Sequence, residues 1–395
     1  MMSSAPNNQI KRVLFVNGVP VDVGGIENTI MDIYRGINKQ EVLIDFVVRR
    51  PEEGCYHGEI ISYGGRIYNL FDKKKHKKVM KWNFYADIYS FFCFYRLLKR
   101  EGPYSAVHIA HPNLDGYLIA AAKLARVPIR IIHSHNTGFD DRTRPSLSRR
   151  WIRKASLSLG KYFATHLWGC SQAACEYMFG KDVIRDKRAE VVQNPINIKR
   201  FTGINISKSD ARAQMNVPTN GLILLNVARY ATQKNHLFLI DVLYEALKIR
   251  DDLHLILIGT GPLEDQVKNY IIEKNVENNV TMLDKNMSVP VALKASDFFL
   301  LPSLYEGFGN TLIEAQAAGI PCFASTTCQP EPNLGLVDYL PLDRGAKSWA
   351  EIILSRTENS QKRKVDKTKL SLYELSVVSS HMESVYTTGG RYFER

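Results

Sequence analysis

The chain has 395 residues, 45% of them hydrophobic and 23% charged, with a formal net charge of +12. That length exceeds one ordinary hydrophobic core and fits two domains, and the composition excludes a disordered polymer. The charge asks for an anionic partner, yet no nucleic-acid module is readable, and no apolar run nears the about 18 residues of a membrane span.

The stretch Met1 to Asn8 lacks the apolar core of a signal peptide, so a cytoplasmic protein is expected. Six cysteines without a C-x-x-C pair read as free thiols. There is no H-E-x-x-H helix and no D-x-D triplet, so no metal is expected. Lys11 to Asn17 reads as a buried strand, and Ile26, Ile30, Ile33 and Ile37 recur at helical spacing. Gly24 and Gly25 therefore stand where a strand hands over to a helix, either as a phosphate cradle or as a tight turn.

Strands are expected at Val42 to Val48, Arg66 to Tyr68, Ala106 to Ile109 and Ile129 to His133. Helices are expected at Phe84 to Lys99 and Leu114 to Arg126. Such alternation implies a parallel sheet with ligands at the carboxyl ends of its strands. His135 lies at one such end, as a satisfied polar residue or as a functional one. His133 is expected on the other side of the strand.

The cationic stretch Lys73 to Lys78 reads as a solvated loop. Arg142 to Lys161 mixes cations with Trp151, Ile152 and Leu159, which fits either a helix on an anionic membrane or a surface helix packed on its domain. After strands at Ala164 to Gly169 and Ala189 to Gln193, Pro195 marks a stiff exit, and the linker between domains is expected there.

The second half starts again with an apolar run, Leu222 to Val227, followed by Arg229 and Lys234 in one loop. These two cations either neutralise a diphosphate or are ordinary surface charges. A strand at Leu253 to Ile258 leads into the turn Gly259-Thr260-Gly261-Pro262. Phe298 to Leu301 reads as a buried strand, and from Asn310 the chain takes on helical character that ends at Gly319. Between them, Gly307, Phe308 and Gly309 form a turn whose backbone N–H groups suit an anion. Glu306 precedes that turn and Glu314 follows it, placed to accept hydrogen bonds from hydroxyls at the two ends of a nucleotide-sugar. A terminal helix is expected around Leu375 to Val385.

The string from Glu306 to Glu314 resembles the E-x7-E signature of retaining glycosyltransferases with two facing Rossmann-like domains, the GT-B fold, and in particular of glycosyltransferase family four. The Pro302-Ser303 lead and the Ala-rich helix sharpen the likeness. Gly24, Gly25 and Glu27 resemble the family's G-G-x-E loop, which faces donor phosphates and acceptor. Arg229 and Lys234 resemble its V-G-R-x-x-x-x-K-N string, with Ala228 where glycine is usual. Gly259 and Gly261 resemble its G-x-G-P turn near the base and ribose, and His135 stands where the family carries a histidine close to the donor sugar. Pro195, Asn197 and the glycine-free stretch Thr326 to Pro332 depart from the family pattern.

The resemblance implies an α/β fold of two facing Rossmann-like domains with the active site in the cleft between them. It implies an acceptor domain at 1–195, a donor domain at 196–373, and a helix at 374–395 that crosses back. The implied reaction moves a sugar, expected from a UDP-sugar, to a hydroxyl with retention and without a metal. Glu306 would hold the donor sugar, Glu314 the ribose, and Arg229, Lys234 and the backbone of Gly307, Phe308, Gly309, Asn310 and Thr311 the diphosphate. The acceptor would be a lipid-linked glycan of exopolysaccharide, capsule or cell wall on the inner face of the membrane. A non-catalytic subunit of the same fold and a polyanion-binding protein are the competing expectations.

Overall fold

The computed structural model describes residues 10–18, 21, 25–49, 53–71, 83–110, 116–135, 147–185, 187–358 and 363–390. Two compact units divide the chain: residues up to Pro195 together with those from Leu375 on, and Ile196–Glu374.

In the first unit, seven strands line up in the order β3-β2-β1-β4-β5-β6-β7, each pair parallel. They are β1 (Lys11–Gly18), β2 (Val42–Val48), β3 (Ile67–Asn69), β4 (Ala106–Ile109), β5 (Ile129–Ser134), β6 (His166–Gly169) and β7 (Glu190–Val191). The apolar runs are continuous because both faces of a parallel sheet are covered. Val13 and Phe15 join Ile44, Phe46, Ile131 and Trp168 on one face, while Leu14 and Val16 join Val107, Ile109 and Ile132 on the other. The first face is closed by the helix Gly25–Gly36 and by the helix Leu375–Thr388, which inserts Met382, Val385 and Tyr386.

The second unit holds a parallel sheet in the order β10-β9-β8-β11-β12-β13. Its strands are β8 (Leu222–Val227), β9 (Leu253–Ile258), β10 (Val280–Leu283), β11 (Phe298–Leu301), β12 (Cys322–Ser325) and β13 (Val337–Leu340). Trp349 and Ile353 of the helix Gly345–Glu358 complete the core over Leu224, Leu255 and Leu300. Ile196 and Glu374, where the chain enters and leaves this unit, pair in a parallel bridge.

The two-sheet α/β fold is the one the alternating pattern predicts. Boundaries differ where apolar periodicity is weak. The strand expected over Ala189 to Gln193 shrinks to β7 at the sheet edge, and the described helix near Leu114 runs Leu118–Leu124. The short helix His57–Ser62, with Ile60 its one buried residue, gave no period to read. Lys73 to Lys78, Gly24 and Arg142 to Ser146 lie outside the described residues.

Candidate active site

The second sheet grows outward from β8 through β9 to β10 on one side and continues from β8 through β11 on the other. The direction of growth reverses between β8 and β11, the point of such a sheet at which ligands bind in a crevice outside the carboxyl ends of the strands. Arg229 and Lys234 leave β8, Gly259 and Gly261 leave β9, and the stretch from Ser303 to Gly309 leaves β11. The structure thus brings these residues to one edge of one sheet.

Lys234 ends a 3-10 turn, and Asn235, left-handed at φ 55°, swings the chain into the helix His236–Leu247. The Lys234 ammonium donates to Glu306 Oε1 at 2.5 Å, and Ser303 Oγ donates to the same oxygen at 2.6 Å. Glu306 is only 5% exposed, and a carboxylate so far from water requires such donors. Two further bonds tie the loops together: Gln233 Nε2 donates to the Tyr305 carbonyl and the Leu304 N–H to the Gln233 carbonyl, both at 2.8 Å. Ser303 is itself gripped, because its carbonyl accepts from Ser325 Oγ at 2.5 Å and Thr327 Oγ1 at 2.6 Å. The stretch from Thr326 lacks the expected glycine and supplies this hydroxyl instead.

Gly309, at φ 83°, is the N-cap of the helix Asn310–Ala317. A Cβ there would meet only ordinary van der Waals contact, so the left-handed backbone is what requires glycine. The first turn of this helix carries Asn310 and Thr311 and offers N–H groups to an anion. Glu314 follows four residues after Asn310, on the same face. Phe308 is buried with its ring 5.7 Å from that of Tyr373, so its side chain belongs to the fold and only its backbone is left for a ligand.

Arg229 is exposed and makes no ion pair among the described residues. Its loop is fixed by backbone bonds, Ala228 N–H to the Ile258 carbonyl at 3.0 Å and Tyr230 N–H to the Thr260 carbonyl at 3.1 Å. A Cβ on Gly259 would lie 2.1 Å from the Ala228 oxygen, and one on Gly261 2.4 Å from the Tyr230 oxygen. These glycines let two backbones touch, and that contact fixes the loop that carries Arg229. Behind Lys234, His236 is buried beside the Tyr230 ring, and burial, aided by the Lys234 charge, pushes its imidazole down to about 4.

In the first unit, Gly25 opens the helix after β1, and Glu27 in its first turn accepts from Asn17 Nδ2 at 3.2 Å. A Cβ on Gly25 would have nothing within 4 Å. His135 follows β5, buried, its ring 4.0 Å from that of His133. The expectation that His133 faces away is corrected: residues two apart on a strand share a face. Gly24 lies outside the described residues. Ser303, Gln233 and Asn17 escaped the sequence reading as site residues. The Ser303 spacing, a hydroxyl three residues before a carboxylate, was the available signal. Among the described residues no group of three His, Cys, Asp or Glu could hold a metal ion, and no helix is long and apolar enough to cross a membrane.

Known proteins resemble the chain along most of its length. A family described as Glycosyltransferase Family 4 matches residues 23–200, and one described as Glycosyl transferases group 1 matches residues 207–333. EpsF of Bacillus subtilis, assigned as a glycosyltransferase, is 32% identical over 356 residues, 88% of each chain. The UDP-Gal:alpha-D-GlcNAc-diphosphoundecaprenol alpha-1,3-galactosyltransferase of Escherichia coli is 28% identical over 60% of this chain and 62% of its own. Anabaena HepE, solved in complex with UDP, superposes with a TM-score of 0.72 at 17% identity, over 96% of this chain and 100% of that chain. Two parallel Rossmann-like sheets, both family matches and the EpsF likeness agree: the chain belongs to the glycosyltransferases of the GT-B fold, family 4 in its first half and group 1 in its second.

Proposed function

We propose that the chain moves a sugar from a UDP-sugar to a hydroxyl of a lipid-linked glycan, with retention at the anomeric carbon and without a metal ion. The observation that carries this reading is the pairing of Lys234 and Ser303 on one oxygen of buried Glu306, beside the glycine-started helix Asn310–Ala317. The names of two relatives support the donor and acceptor classes, one using UDP-Gal and a diphosphoundecaprenol-linked sugar, the other solved with UDP.

In this reading the bond between the anomeric carbon and the diphosphate oxygen breaks, and its electrons pass to the leaving phosphate. Arg229, Lys234 and the first-turn N–H groups of the Asn310 helix stabilise that charge. The acceptor oxygen bonds to the anomeric carbon on the face the diphosphate leaves, and its proton passes to the leaving phosphate oxygen. Glu306 holds hydroxyls of the donor sugar. With one oxygen already taking two donors, it is poorly suited to attack carbon as a nucleophile. Glu314 holds the ribose, and His135 lies against the donor sugar.

A second surface supports the lipid-linked acceptor. The helix Leu147–Phe163 exposes Trp151 (69%) and Tyr162 (81%) among Arg150, Arg153 and Lys154, a mixture suited to an anionic membrane face.

Thermal unfolding with UDP, GDP, ADP and CDP in parallel, with EDTA present, tests the donor. A ligand at 100 times its Kd stabilises by about 2.7 kcal/mol. UDP alone should raise the midpoint, and Glu314→Ala should abolish the shift. Equal shifts from all four nucleotides, or none, would overturn the UDP-sugar reading.

A further inference from the structure

Below His135, the first sheet holds a file of polar side chains that the transfer reaction does not touch. Tyr386 sits on the helix Leu375–Thr388, and its hydroxyl lies 2.7 Å from His108 Nδ1 on β4. His108 Nε2 lies 3.2 Å from His133 Nδ1 on β5, and the His133 ring lies 4.0 Å from that of His135. Phe15 and Trp168 wall the file, and Tyr386, His108 and His133 are each about 1% exposed.

Burial drives the Tyr386 hydroxyl up and both inner imidazoles well below their ordinary range, so all three are neutral near pH 7. Neutral groups in a row can be ordered in only two ways. If Tyr386 donates to His108 Nδ1, His108 keeps its proton on Nε2 and donates it to His133 Nδ1, and His133 carries its proton on Nε2. The Nε2–H of His133 is then the one donor this order leaves without a partner, while the Val192 backbone beside the ring raises its hold on protons. The reverse order strands the Tyr386 proton and leaves His133 Nε2 an empty acceptor. An unmade buried hydrogen bond costs about 1–3 kcal/mol, so the order that leaves fewer of them wins.

We propose that Tyr386, acting through His108 and His133, is a positioning residue that fixes the tautomer and ring placement of the histidine under His135 and so holds His135 for sugar transfer. The proposal rests on the reading of His135 as a donor-site residue. A Phe in place of Tyr386 keeps the ring in the core and removes only the hydroxyl, which releases His108 to either tautomer and passes that freedom up the file.

The test uses the full chain. Imidazole 15N signals of the wild type should show His133 as a single Nε2–H tautomer. In Tyr386→Phe the His133 signals should move toward an average of both tautomers and those of His135 should shift. Turnover of the donor selected by the thermal screen, with water as acceptor, should fall about tenfold at unchanged KM, the scale on which partners behind metal-bound histidines act. His108→Gln, which keeps an amide nitrogen near Nε2 but presents nothing at Nδ1, should act like Tyr386→Phe and covers the case in which the latter unfolds. Unchanged His133 and His135 signals in both variants would overturn the relay, as would moved signals with a wild-type rate. His135→Ala at the wild-type rate would instead remove His135 from the reaction and the positioning role with it, and the 15N signals tell that failure from the first.

Discussion

At the scale of single residues, the most consequential pair is Lys234 and Glu306, because one partner is exposed enough to reach a ligand and the other is not. Their side chains are 22% and 6% exposed. Removing the cation leaves the buried carboxylate with its Ser303 bond but without the Lys234 charge, which costs up to about 3 kcal/mol, reduced by the access of water to Lys234. Lys234→Ala should therefore destabilise clearly, and Lys234→Ala with Glu306→Gln should recover about 1 kcal/mol or more, read as midpoint shifts in urea at constant slope. A double variant no more stable than Lys234→Ala would show that the pair is not coupled. His236 gives a pH dependence of known sign. Its folded pKa is about 4 against an ordinary 6.5, so the unfolded chain takes up the proton first. Stability from this residue is whole above about pH 6.5 and is lost as pH falls toward 4, by about 3 kcal/mol in all. Buried His108 and His133 act in the same direction. His236→Leu should flatten the acid limb of the stability curve, and an unaltered limb would remove the assignment.

At the scale of elements, the glycines divide by what they are for. Gly261 lets the turn after β9 lie against the Arg229 loop, so Gly261→Ala should cost about 1–3 kcal/mol and weaken UDP binding together, by calorimetry and thermal unfolding. Gly25 has open space where a Cβ would stand, so Gly25→Ala should leave stability within about 0.5 kcal/mol and change only donor affinity. A Gly25→Ala protein that melts early would reassign that glycine to the fold. The same division marks what the sequence could reveal. The strands flanking the crevice are continuous apolar runs, and the Asn310 helix ends before left-handed Gly319, so both were readable from local pattern. The Ser303 hydroxyl on Glu306 was hidden because the string resembles a signature and its serine looks like part of the lead. The link from Tyr386 to His108 spans 278 positions, and no local period encodes it. β13 and the helix Gly345–Glu358 went unread because their core side chains, such as Trp349, declare themselves only against Leu224 and Leu255.

At the scale of the whole molecule, the +12 charge and the exposed aromatics of the helix Leu147–Phe163 make one prediction. The chain should bind vesicles containing anionic lipid, and Trp151 fluorescence should shift to the blue on binding. Arg153→Ala should weaken binding by about 1 kcal/mol, and salt should weaken it further. Vesicles of zwitterionic lipid binding equally well would refute the electrostatic part. The division of the chain into units has a consequence for how it is made. Val13 and Phe15 share an apolar cluster with Met382 and Tyr386, which leave the ribosome long after them. All of Ile196–Glu374 is synthesised in between, so the second sheet can close over its own core while the first still lacks a wall. During synthesis the first sheet must wait with one of the two helices over Val13 and Ile44 still missing, and this is the interval in which a chaperone would find the chain.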